Sequence, residues 1–172
     1  MAKNKKGMTL LEIIIGLGIF AMIVPIMFYF FMSHNKAIDE TSVRSNLQFQ
    51  GQLMREAMTQ GFMEGKTVIN IYDEHGGKID FIDSEVPITK IQLKNYEDTE
   101  EEFYTENNKL YHVKALGSKE EIGKFLESIK ISKVEDKKLQ INNIKSLNFT
   151  ISLRDKDVTY DLTFNVYLRN KE

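Results

Sequence analysis

From Ile13 to Met32 the chain carries no charged residue. Twenty residues rise about 30 Å as a helix, which matches the hydrocarbon thickness of a bilayer. Ile, Leu, Phe and Met dominate the run. Gly16, Gly18 and Pro25 are tolerable in such a helix, although Pro25 is expected to weaken or kink it. Everything after Met32 reads as a water-soluble domain. The 172 residues are enough for one domain of ordinary size.

Charge sets the expected orientation. Lys3, Lys5 and Lys6 precede the run, and His34 and Lys36 after it are soon followed by Asp39 and Glu40. The excess of lysine before the span puts the N-terminus in the cytoplasm and the domain outside the cell. A cleavable secretory signal needs small residues after the apolar run. Phe28-Tyr29-Phe30-Phe31-Met32-Ser33 offers none. The chain has no cysteine, so disulfides, thiolate metal sites and a lipid-modified N-terminus are excluded. The net charge of −2 with no basic stripe argues against direct nucleic-acid binding.

A plain signal anchor accounts for all of this except Glu12. That acid stands between Leu10-Leu11 and Ile13-Ile14-Ile15. A carboxylate at the centre of a membrane helix costs about 2.5–3.5 kcal/mol on insertion scales, and less near the interface. A plain anchor is expected to gain nothing from it.

Gly7-Met8-Thr9-Leu10-Leu11-Glu12, after a short basic leader and before a long apolar helix, resembles the N-terminal signal of the type IV pilin and type II secretion pseudopilin family. The resemblance implies that a prepilin peptidase cuts between Gly7 and Met8 and methylates the new N-terminus. It implies that Glu12 then serves assembly by meeting the Met8 amine of a neighbouring subunit. Two residues depart from the family's pattern. Met8 stands where the family usually has Phe, and Pro25 falls nearer the cleavage point than the family's usual proline.

Periodicity supports the same architecture independently. Val43, Leu47, Met54 and Met58 form one helical stripe from Lys36 to Gly61, with Gly51 as a soft point and Gly61 or Gly65 as the stop. A helix continuous from Met8 to Gly61 would measure about 80 Å. Strands are expected at Thr67–Tyr72, Lys78–Ile82, Ile88–Tyr96, Phe103–Tyr104 and Leu110–Val113, with turns at Glu74-His75-Gly76-Gly77 and Asn107-Asn108. Ser118–Ile129 reads as a short helix, with Ser118 and Glu121 as a capping box and Ile122, Phe125, Leu126 and Ile129 as its apolar face. Leu147, Phe149, Ile151 and Leu153, then Val158 to Leu168 at every second position, predict a final antiparallel hairpin with one buried face.

The expected fold is therefore α+β: a leader at 1–7, a membrane and assembly helix at 8–32, and an extracellular domain at 33–172. That domain holds a helix over 33–61, then mainly strands over 67–172, with the short helix near 118–129. The hairpins are similar to those of minor pilins of the W or J kind.

No catalytic constellation is present. His34, His75 and His112 are scattered and read as surface or turn residues. Gly76-Gly77 reads as a turn rather than a phosphate loop. Glu97-Asp98 and Glu100-Glu101-Glu102 lack the ligand spacing of a calcium loop and read as solvated. Tyr96, Tyr104 and Tyr111 read as sheet packing rather than a sugar platform. The expectation is a minor pilin or pseudopilin with no enzymatic activity, cofactor or metal. Its partners are the prepilin peptidase, the major and other minor pilins, the assembly platform, and the membrane through residues 13–32. Its place is first the membrane and then a fibre at the cell surface. The alternatives are a competence-type or type II secretion pseudopilin, and a single-pass anchored domain that never polymerises.

If the resemblance holds, N-terminal sequencing of protein extracted from membranes should return Met8 as the first residue. A chain beginning at Met1, or one cut after Met32, would contradict it.

Overall fold

The computed structural model describes residues 9–82, 84–114, 117–133, 139–141 and 144–168. Helix α1 runs Leu10–Glu64 and is unbroken across Pro25. By contacts the chain divides into two units between Ser42 and Val43. This is later than the boundary at Met32 that the end of the apolar run suggests.

The first unit contains the N-terminal part of α1, and none of its described side chains is buried. In the second unit, α1 residues Val43, Leu47, Gly51, Met54, Met58, Gly61 and Phe62 are buried against an antiparallel sheet. The stripe read from the sequence is the packed face, and Phe62 extends it by one turn. Of the two expected stops, the helix passes Gly61 and ends before Gly65, where strand begins.

The strands are β1 (Gly65–Asp73), β2 (Lys78–Ile79), β3 (Phe81–Ile82), β4 (Val86–Asn95), β5 (Glu100–Glu106), β6 (Lys109–Val113), β7 (Lys119–Gly123), β8 (Leu126–Lys133), β9 (Leu139–Gln140), β10 (Ser146–Asp155) and β11 (Val158–Tyr167). The main sheet runs β11-β10-β8-β4-β5-β6-β7. Strand β1 lines one edge of β4 along most of its length, and β2 pairs with the end of β1. The other edge of β4 is divided: Val86–Ile88 pair with β8, and Lys90–Lys94 pair with β5. The sheet therefore forks at β4. Asn108 bridges the fork, its side-chain amide donating to Leu126 C=O and its own C=O accepting from Leu126 N–H, both at 2.9 Å. Strands β3 and β9 form a small separate pair.

The expected helix at 118–129 is not formed. That stretch holds β7 and β8. Three features work against a helix there. Gly117 and Phe125 adopt left-handed backbone, with φ of 76° and 65°. Gly123 would weaken a helix interior by up to about 1 kcal/mol relative to alanine. In the sheet Glu121 meets Lys109 of the paired strand β6, and Lys119 reaches past β6 to Glu106 of β5, so the charges form ion pairs between strands.

The expected final hairpin forms, paired from Asp155 opposite Val158 to Ser146 opposite Tyr167. Its two strands are not equally buried. Leu147, Phe149, Ile151 and Leu153 are fully covered, whereas Tyr160, Leu162 and Phe164 are only half-buried because β11 is an edge strand. Phe149 also meets Phe62 edge to face, with ring centres 5.4 Å apart.

Two glycines set how closely α1 approaches the sheet. A Cβ on Gly51 would lie 3.1 Å from the Tyr160 ring and 3.3 Å from Leu153. A Cβ on Gly61 would lie 2.6 Å from the ring of Phe103, which is itself fully buried.

Phe149→Ala should cost about 3–5 kcal/mol in denaturant unfolding, and Phe164→Ala about half of that, since its ring is only half-covered. Gly61→Ala should destabilise by about 1–3 kcal/mol through overpacking, despite alanine's better helix propensity. Adding Phe103→Leu to Gly61→Ala should recover part of that loss; strict additivity of the two changes would contradict the proposed contact.

Candidate functional site

The head of α1 is built from four consecutive residues. Ile13 N–H donates to Thr9 C=O, so Thr9 is the N-cap. Thr9 N–H donates to Glu12 Oε2 at 2.8 Å, and Glu12 N–H donates back to Thr9 Oγ1 at 3.4 Å. The Thr9 hydroxyl also donates to Glu12 Oε2, at 3.0 Å. This is a reciprocal capping box, Thr-x-x-Glu. It satisfies N–H groups that have no partner within the helix, and it sets a negative charge at the positive end of the helix dipole.

Glu12 thus has a local use, and the expectation that a plain anchor gains nothing from it does not stand. Both bonds it accepts go to Oε2. Oε1 takes no hydrogen bond among the described residues. Gly7 and Met8, expected to be the processing site, lie outside the described residues.

Behind the cap, α1 is long and apolar enough to cross a membrane, and its apolar window is wholly exposed. Leu11, Ile14, Leu17, Phe20, Met27 and Phe30 are all more than half uncovered. So much bare apolar surface is unfavourable in water at about 25 cal/mol per Å2. It is consistent with single-pass membrane anchoring near the N-terminus.

The other candidate residues fall into structural roles. His34 is exposed, and His75 lies in the exposed β1–β2 turn. His112 departs from expectation. It is buried at 6%, stacks on Phe103 with ring centres 4.2 Å apart, and lies 3.0 Å from Glu101 Oε2. The signal for this was strand alternation, since His112 follows Leu110 on the inner face of β6.

The acidic run is distributed rather than gathered. Glu101 turns inward to His112, Glu102 meets Lys90 and Gln92 on the outer face, and Asp98 reaches Lys66 and Lys94. Among the described residues no group of three or more potential ligands could hold a metal ion. Tyr104 and Tyr111 stack with ring centres 5.3 Å apart, and Lys119 lies over both, 4.0 Å from the Tyr111 centre. The lysine occupies the face that a sugar would need.

Comparison of the chain with protein-family models, curated proteins and solved structures finds no match.

The outer-face pairs leave a pH signature. Burial raises the Glu102 carboxyl, but hydrogen bonds from Lys90 and Gln92, with the Lys90 charge, outweigh it and hold the group below the usual carboxylate range. The Glu121 carboxyl is lowered chiefly by its bond from Lys109. A depressed folded-state value stabilises the fold above the unfolded value and is lost as pH falls through the folded one. Stability should therefore decline below about pH 4. Lys90→Met should flatten that decline in unfolding measured across pH, and an unchanged slope would contradict the role of the pair.

Proposed function

We propose that this chain is a minor pilin or pseudopilin, processed after Gly7 and incorporated into a membrane-assembled fibre that it primes, caps or decorates. The observation that carries the reading is the acid at the head of α1. A single helix joins an uncharged, fully exposed apolar part to a part packed on an antiparallel sheet, and it begins at Thr9-Leu10-Leu11-Glu12. With cleavage after Gly7, the mature amine would belong to Met8, one residue before the cap. In a medium of low dielectric, an ammonium from a neighbouring subunit would be strongly attracted to the Glu12 carboxylate, each charge relieving the burial of the other. Oε2 is engaged within its own chain, and Oε1 has room for that second contact. Assembly would then depend on processing, because the leader hides the amine.

One observation favours a second reading. The capping box gives Glu12 a use in an anchored domain that never polymerises. Two substitutions separate the readings. Glu12→Gln keeps an acceptor able to close the capping box but removes the charge, whereas Glu12→Ala removes both. Both variants should insert and be cut after Gly7. Both should be depleted from sheared fibres about tenfold or more relative to wild type, a ratio worth ~1.4 kcal/mol. If Glu12→Gln enters fibres like wild type while Glu12→Ala does not, the residue acts only as a cap. If both enter like wild type, or no fibre forms, the anchored-domain reading replaces the fibre one.

A further inference from the structure

Strand β11 ends the sheet and has no neighbour beyond it among the described residues. Its pairing with β10 runs over ten residues without a shift. Along an antiparallel ladder the N–H and C=O of one residue point the same way, and the direction alternates with each residue. Two bonds set that alternation. Leu168 N–H donates to Lys145 C=O, and Arg154 N–H donates to Phe125 C=O on the opposite side of β10. Even-numbered residues of β11 therefore face β10. Thr159, Asp161, Thr163, Asn165 and Tyr167 turn their backbone groups outward, and all five are exposed.

Natural edge strands are blunted by shortness, charge, proline or bulges. The opposite end of the sheet follows that rule: β7 has five residues, a register shift against β6, and three charges at Lys119, Glu120 and Glu121. Part of β1 is covered by β2. In contrast, β11 is regular and has one charge, Asp161, with no proline or glycine.

A second observation lies beside this edge. Between α1 and β11 runs a groove of about 830 Å3, lined by Arg55, Glu56, Met63, Glu64, Phe164 and Asn165 among others. Met63 and the half-buried Phe164 give it an apolar floor. On the opposite arm of the sheet several carboxylates are matched: Glu102 with Lys90, Glu106 with Lys119 and Glu121 with Lys109. Here Glu56, Glu64 and Asp161 make no ion pair among the described residues, and Arg55 is the one cation of the lining. Among the described residues, Glu56 and Glu64 of the lining, with Asp161 on the neighbouring edge, outnumber Arg55.

We propose that the free edge of β11 takes an extended basic segment of a partner protein as an added strand. Of the side chains that face the groove, apolar ones would lie over Phe164 and Met63 and a basic one at either end would meet Glu56 or Glu64, while the lysines or arginines of the opposite face would meet Asp161. A second copy of this chain is the poorer occupant, because it would bring the same unmatched carboxylates to the seam. Such pairing does not depend on entry into a fibre.

The test uses the full chain in a non-ionic detergent, with protein-free micelles as the blank. Three labelled ten-residue peptides serve as probes. One alternates valine with lysine and threonine. The second has glutamate in place of lysine. The third is the lysine peptide N-methylated at alternate residues, which keeps charge but removes donors. The lysine peptide should bind well below about 1 mM, and the other two about tenfold more weakly or worse. Thr163→Pro removes an N–H that the ladder with β10 does not use, so it should weaken the lysine peptide about tenfold while leaving the unfolding midpoint in place. Asp161→Lys should shift preference toward the glutamate peptide. Equal binding of the methylated peptide, undiminished binding by Thr163→Pro, or no binding at about 1 mM would overturn the proposal. So would a dimer of the chain that Thr163→Pro dissociates, which would assign the edge to a second copy.

Discussion

Beyond Ser42, the structure depends on contact between one stripe of α1 and the inner face of the sheet. Val43, Leu47, Met54, Met58 and Phe62 supply the stripe, and Phe103, Phe149, Ile151 and Leu153 are among the residues that receive it. No disulfide assists, so burial must offset the entropy of ordering the domain. Glycine makes the approach close enough. Gly51 and Gly61 remove side chains from the helix where Tyr160 and Phe103 press against it. From the sheet side, Gly123 leaves room for Met54, whose Cε lies 2.6 Å from where a Cβ would be. What looked from the sequence like a weakness at Gly51 is a requirement of packing.

Much of this was legible because it rests on period. The stripe repeats at helical spacing, and the last two strands alternate so regularly that their pairing as a hairpin with one buried face follows from the pattern. Asn107-Asn108 was legible for a different reason: both residues take positive φ, which asparagine tolerates and a tight hairpin demands. The stretch 118–129 was misread because a capping-box pattern and four apolar residues were weighed above Gly123 and above ion-pair partners distant in sequence. Cross-strand neighbours such as Glu106 and Lys109 are invisible to a local window. His112 shows the same limit. Its burial follows from strand alternation, but its acceptor, Glu101, is supplied by another strand.

At the head of α1 the same pattern was present and passed over. Thr9-x-x-Glu12 is a capping box as plainly as Ser118-x-x-Glu121 is not one. The two stretches differ in the residues beyond the glutamate. After Glu12 comes an uninterrupted run suited to a helix; after Glu121 come glycine and a residue in left-handed backbone. A carboxylate that holds its own helix end with one oxygen and leaves the other open is suited to two tasks in succession. The first fixes the rotamer, so the second starts with less entropy to lose.

The divided edge of β4 also separates local pairings from distant ones. One arm of the fork, β4 to β7, consists of strands consecutive in sequence, so it can assemble as soon as the chain emerges. The other arm needs β10 and β11, which come last, and these bring the side chains that cover Gly51 and Phe62. Without them one flank of the helix would be bare while the rest is covered. A two-residue turn and uniform register make the closing hairpin a local event on the microsecond scale. The strands that complete the helix's cover are thus joined by one of the shortest connections in the sheet.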